Sequence, residues 1–115
     1  MIDHFNINSN DFDGPVFVTG AAGCIGSWVV ALLVKANVTV IAFDLSADKN
    51  RLKLLMNNEE IKKIKWITGN VAETESVSEA VKNNDICSII HLAALQVPFC
   101  IANPVEGAKV NVIGT

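Results

Sequence analysis

The amino-acid sequence predicts an α/β protein built on a parallel sheet, with helices on both faces. Three observations lead there. Short β-favouring runs alternate with helical patterns in the order βαβαβαβα. The strand runs are continuously apolar, as strands covered on both faces must be. The first strand runs through a glycine-rich turn straight into the first helix, the connection that a βαβ unit needs.

Each element has its own signal. Residues 1–14 are polar and unpatterned, and they end in the turn signal Asp13-Gly14-Pro15. Val16 to Val18 form a strand that stops in glycines, and Cys24 to Ala36 read as a helix. Val38 to Phe43 form a second, β-branched strand. Ser46 or Asp48 is placed to cap a helix with Leu52, Leu55 and Met56 on one face. Ile64 to Thr68 is the third strand. Thr74 is expected to cap a short helix carrying Val77, Ala80 and Val81 at helical spacing. Ile86 to Leu92 is the fourth strand. Asn103-Pro104-Val105-Glu106 then reads as a helix start, with Asn as cap, Pro in the first turn and Glu reaching back. That helix is expected to be still running at Thr115.

Composition narrows the function classes. The chain has 115 residues, half of them hydrophobic and 18% charged, which fits one folded domain and excludes global disorder. Mean hydropathy is high at +0.37. Yet the longest unbroken apolar run, Trp28 to Val34, is far short of the ~20 residues that a spanning helix needs. No membrane association, secretory leader or transit peptide is expected, because the chain opens with acids and amides. The net charge of −3 gives no case for nucleic acid. Six of the nine basic residues lie between Lys49 and Lys65, interspersed with Glu59 and Glu60, and read as a solvated face. Cys24, Cys87 and Cys100 lack C-x-x-C spacing, so no disulfide framework or metal site is expected and a reducing, cytoplasmic compartment fits.

The chemistry is concentrated in Thr19-Gly20-Ala21-Ala22-Gly23-Cys24-Ile25-Gly26. Gly20 and Gly23 permit a tight turn in which backbone can approach a pyrophosphate, and Gly26 lets the helix sit close to the first strand. The helix N-terminus then offers unpaired N–H groups to the phosphates. Asp44, at the end of the second strand, stands where a ribose 2′-hydroxyl would be met. Gly69-Asn70-Val71 and His91-Leu92-Ala93-Ala94 follow the third and fourth strands, at the sheet edge where open α/β sheets bind ligands. His91, in an apolar run, reads as a core or packing residue, and Trp28 and Trp66 as packing. Cys24 has no basic neighbour in sequence that would make it a reactive thiol.

TGAAGCIG, the terminal Asp of strand two, GNV, HLAA and NVIGT, in this order, resemble the extended short-chain dehydrogenase/reductase superfamily, in its NAD-dependent epimerase/dehydratase branch. The likeness runs from about Val16 to Thr115. It implies a partial Rossmann fold with strand order 3-2-1-4 over residues 15–115, and a polar extension over residues 1–14. It also implies a cofactor site made of Gly20, Ala22, Gly23, Cys24, Ile25 and Gly26 at the pyrophosphate, with Asp44 and Leu45 at the adenosine ribose. Asn70 and Val71 would lie at the adenine, and Leu92, Ala93 and Ala94 along the cofactor. The family has Asp where Asn70 stands; the amide oxygen can still accept from the adenine amino group, without the charge. Asn111 matches a helix asparagine linked to a proton relay.

The family's Tyr-x-x-x-Lys pair is missing, since the chain contains no Tyr. The expectation is therefore an NAD(H)-binding N-terminal portion of an epimerase, dehydratase or oxidoreductase, truncated before the catalytic and substrate-binding regions and inactive alone. Three other readings share these motifs: a non-enzymatic NAD(P)-sensing regulator, an atypical enzyme that acts with different catalytic residues, and a ligand-free structural fragment. NAD is expected over NADP, because Asp44 would repel a 2′-phosphate and Leu45 and Ser46 follow it with no adjacent Arg. A small-molecule substrate, such as a nucleotide-sugar, would be met only by the full-length parent. Strand four, apolar on both faces, should lie at a sheet edge and favour self-association or a homo-oligomer, together with the helix from Pro104.

Overall fold

A computed structural model describes residues 6–115 of the chain, so the first five residues of the polar extension lie outside the described residues. Of the rest of that extension, Ser9–Asp11 forms one 3₁₀ turn, capped where the Asn8 side chain accepts from the Asn10 N–H at 3.0 Å. Phe12 packs half-buried against the core, which ties the extension down.

The four expected strands form one parallel sheet: β1 (Val16–Thr19), β2 (Val40–Asp44), β3 (Lys65–Thr68) and β4 (Ser88–His91), in the order β3-β2-β1-β4. The register sets Val16 beside both Val40 and Ser88, and Thr19 beside both Phe43 and His91. Asp44 is paired with Thr68. The carboxyl ends of all four strands therefore share one edge.

The central strands are apolar without alternation because each of their faces is covered. Val16, Val18, Val40 and Ala42 point to one side, into a core with Val30, Ala31, Leu33 and Val34 of α1 (Cys24–Lys35). Leu52 of α2 (Asn50–Leu55) joins the same core. Phe17, Ile41 and Phe43 point to the other, against Ala80 of α4 (Thr74–Lys82). There the rings of Phe17 and Phe43 meet tilted, with centroids 5.4 Å apart. Full burial of such rings is among the larger single contributions a core receives.

Five helical expectations change. The helix after β2 is two pieces, α2 and α3 (Asn58–Lys62), because Asn57 starts a new helix through a capping box with Glu60. The Asn57 side chain accepts from the Glu60 N–H, and the Glu60 carboxylate accepts from the Asn57 N–H, both at 2.9 Å. Thr74 is the first helical residue of α4, and Glu73 occupies the cap position without a side-chain bond. Beyond β4 the chain adds an unexpected helix, α5 (Val97–Ala102), before α6 (Pro104–Ala108). Pro104 does sit in the first turn of α6, but Asn103 makes no side-chain capping bond. The last turn widens into a π-helical segment, Lys109–Ile113, and the helix ends there, with Gly114 at the cap and short of Thr115.

Candidate functional site

The glycine turn after β1 is built by two close approaches. Gly20 has a φ of 69°, the left-handed region, and a Cβ there would stand 2.8 Å from the Ala93 nitrogen. A Cβ on Gly26 would collide with the Gly20 carbonyl, so α1 starts directly against the turn only because Gly26 has none. Gly23 is the cap of α1 without a side-chain bond, and the first turn carries no acidic residue. The first N–H groups of this helix are therefore left for a ligand, at the positive end of the helix dipole.

Asp44 closes the turn from the other side. Its Oδ2 accepts from the Ala22 N–H and its Oδ1 from the Ser46 N–H, both at 2.9 Å. The carboxylate thus holds the glycine turn to the end of β2, and its remaining lone pairs stay available to hydroxyl donors. Arg51, on α2, donates from Nη1 to the Ala22 carbonyl at 3.1 Å. A cationic side chain therefore reaches the turn, although none is adjacent to Asp44 in sequence.

These groups open onto a cleft of about 370 Å³ at the carboxyl edge of the sheet, between the loops after β1 and β4. Of the residues expected to hold a cofactor, Gly20, Ala22, Gly23, Asp44 and Leu45 line it on one side. Asn70, Val71, Leu92, Ala93 and Ala94 line the rest. Cys24, Ile25 and Gly26 do not: the first two are exposed and Gly26 is buried under the turn. Phe43, Ser46, Asp48, Arg51, Gly69, Leu95 and Val110 also line the cleft, though they were not among the residues expected to hold a cofactor. Gly69 had a signal in the GNV triplet, and Phe43 in its place beside Asp44.

Two expected polar contributors are partly committed. The Asn70 Oδ1 accepts from the Ala72 N–H at 2.9 Å in a tight turn, leaving one lone pair for another donor. Asn111 uses both ends of its amide on one residue: Oδ1 accepts from the Leu95 N–H at 2.7 Å and Nδ2 donates to the Leu95 carbonyl at 2.9 Å. It clamps the terminal helix to the loop after β4.

His91 is not in the core. It is exposed at the end of edge strand β4, with Nδ1 2.6 Å from the Thr19 hydroxyl and Nε2 3.2 Å from that of Thr115. Thr19 is buried, and its Oγ1 accepts from the N–H groups of Leu92 and Ala93, at 3.1 and 3.2 Å. Trp66 packs against the core, and the Lys49 ammonium lies over its ring.

As a whole, the cleft can hold an elongated ligand with an anionic middle: backbone donors at the glycine turn, a carboxylate to one side for hydroxyl groups, and an apolar floor. Among the described residues no group of metal-binding side chains is assembled.

Comparison with known proteins identifies the family and the fold. The model of the family described as GDP-mannose 4,6 dehydratase matches residues 17–115. An uncharacterized membrane protein of Methanocaldococcus jannaschii is 36% identical over 104 residues, covering 90% of this chain and 30% of that protein. A UDP-glucose 4-epimerase of Pasteurella multocida is 33% identical over 103 residues, covering 87% and 30%. The crystal structure of UDP-glucose 4-epimerase from Thermus thermophilus, in complex with NAD, superposes with a TM-score of 0.71 at 27% identity, over 87% of this chain and 30% of that one. The chain thus spans about 30% of the length of the curated relatives it matches. Among the described residues, no helix is long and apolar enough to cross a membrane.

Proposed function

The chain belongs to the GDP-mannose 4,6 dehydratase family, within the NAD-dependent epimerase/dehydratase branch and corresponding to its N-terminal part, and from that premise we propose that it is the dinucleotide-holding portion of a nucleotide-sugar epimerase or dehydratase. The observation that carries this reading is the cleft itself, where the glycine turn, the start of α1 and the Asp44 carboxylate face one space. The glycine turn and the first N–H groups of α1 would hold the pyrophosphate, Asp44 the adenosine ribose, and Asn70 and Val71 the adenine. Leu92, Ala93 and Ala94 would carry the nicotinamide half along the β4 loop. Residues 15–115 form this cofactor portion.

The chemistry a bound nicotinamide supplies is reversible hydride exchange with a substrate carbinol. The residues described here bind and orient. The chain has no Tyr to take the proton of the substrate hydroxyl, and Asn111 is engaged with Leu95. We therefore assign turnover, and recognition of the sugar, to the full-length parent. The free thiols of Cys24, Cys87 and Cys100 agree with a reducing, cytoplasmic compartment.

NAD is the preferred cofactor in this reading, since the Asp44 carboxylate would repel a 2′-phosphate. Arg51 moderates that preference by placing a cation at the same turn. Calorimetric titration with NAD and with NADP tests both statements. NAD should bind more tightly, and Asp44→Ala should weaken NAD by about tenfold and NADP by less, as for the loss of charge-assisted hydrogen bonds. Arg51→Ala should widen the gap between the two cofactors. Tighter binding of NADP by the unaltered chain would refute the assignment of Asp44, and no binding of either would refute the proposed function.

A further inference from the structure

Thr19 Oγ1 is a crowded atom. It accepts from the Ala93 N–H and shares the Leu92 N–H with the Thr19 carbonyl, which lies 3.2 Å from the Leu92 nitrogen. A hydroxyl has two lone pairs and one proton. With both lone pairs turned to backbone donors, the proton is what remains for His91 Nδ1 at 2.6 Å. That makes Nδ1 an acceptor and puts the ring proton on Nε2, which then donates to Thr115 Oγ1 at 3.2 Å. The Thr115 hydroxyl in turn donates to the Asn111 carbonyl at 3.2 Å. The loop after β4 is therefore pinned at Leu92 and Ala93 through Thr19, and at Leu95 through Asn111.

We propose that His91 is a proton-gated positioning residue: neutral, it keeps the Thr19 hydroxyl turned so that Ala93 is held in the cleft wall, and protonated, it releases Ala93. A protonated ring carries N–H on both nitrogens and would bring a third donor to an oxygen whose lone pairs are already used. One backbone bond must then yield. Leu92 keeps its bond to the Thr19 carbonyl, whereas Ala93 has only the hydroxyl. Ala93 is also the residue against which Gly20 is packed, so its release disturbs the cleft at the glycine turn. The groups facing the ring are the hydroxyl of Thr19 from β1 and that of Thr115 from the terminal turn. Among the described residues, no carboxylate forms an ion pair with it.

The inference rests on the dinucleotide reading for its effect on binding, but its core can be read without ligand. Backbone amide protection and His91 ring resonances are followed by NMR over one pH series, the ring itself reporting when it gains its proton. Protection of the Ala93 amide should fall as the ring protonates, with Leu92 changing less. NAD affinity should fall over the same range by roughly fivefold, the value of about one hydrogen bond. In His91→Asn, which offers an acceptor oxygen but does not titrate, both should be independent of pH. Thr19→Ser should retain the response and Thr19→Val abolish it. Unchanged Ala93 protection while the His91 ring titrates would overturn the proposal, as would an undiminished response in His91→Asn. If Ala93 responds as expected but NAD binds at no pH, the gate stands and the dinucleotide reading fails.

Discussion

The β1–α1–β2 half of the molecule and the β4–α5–α6 half are made from equally apolar sequence, yet they are finished to different degrees. In the first, all of β1 and nearly all of β2 are buried, with α1 on one face and the α4 side on the other. In the second, β4 alternates between half-buried and exposed residues and pairs with β1 alone. Ile89 is 56% exposed, and Val97, Phe99, Ile101, Val105, Val112 and Ile113 of the segments that follow are exposed as well. The difference is one of neighbours, not of composition. The glycine turn stands on the half whose strands are covered on both faces.

The contrast can be broken most directly by making the same kind of truncation on both sides. Phe17→Ala should cost about 3–5 kcal/mol in urea denaturation, whereas Ile89→Ala should stay within about 0.5 kcal/mol. Similar losses would mean that β4 is covered after all. Gly26→Ala should cost about 2–3 kcal/mol, because the new methyl group meets the Gly20 carbonyl, and it should also impair NAD binding. A stable Gly26→Ala protein that still binds NAD would show that α1 can shift away from the turn.

A third experiment sharpens the other side of the comparison. If the exposed apolar surface of the β4 half drives self-association, sedimentation velocity should show species larger than monomer, and Phe99→Glu combined with Ile89→Lys should shift them towards monomer. A soluble monomer at high concentration would remove the premise. The smallest effect lies in the first half. The Glu60 carboxyl is held below its ordinary value by the Asn57 N–H and then by the Lys35 ammonium, 3.1 Å away, which links α3 to α1. A carboxyl held lower in the folded state adds stability that is present above its unfolded value and is lost as pH falls through the folded value. Acid titration of Glu60→Gln should therefore show a slightly shallower loss of stability below about pH 4.5 than the unaltered chain.

The sheet and the glycine turn were legible because each rests on a local signal: unbroken β-branched runs, and glycines at a strand-to-helix junction. Strand order followed from the family likeness to these motifs. The split between α2 and α3 was also legible, in Asn57 and Glu60 at capping-box spacing, but the apolar periodicity running through Leu55 and Met56 hid it. α5 was not. Val97-Pro98-Phe99-Cys100-Ile101 has apolar residues on every side, and without a polar face an apolar run gives no helical period to detect. Arg51 reaches the site by side-chain length from a helix, which spacing along the chain does not encode. His91 looked like a core residue because its neighbours in sequence are apolar; its exposure follows from β4 being at the edge.

The place of β4 also bears on how the molecule assembles in time. β1 meets β2 across a single helix, so Val16 finds Val40 after closing one short crossover. It meets β4 only after a separation such as the 72 positions between Thr19 and His91. Closing a longer loop costs more entropy before any contact repays it. The β1–α1–β2 unit should therefore collapse first, and β4 should dock onto a face already formed. Substitutions in β4 would then speed unfolding and leave the folding rate nearly untouched, while those in β1 would slow folding. On this order of events, the cleft wall formed by Leu92 and Ala93 is the last part of the site to appear and the first to be lost.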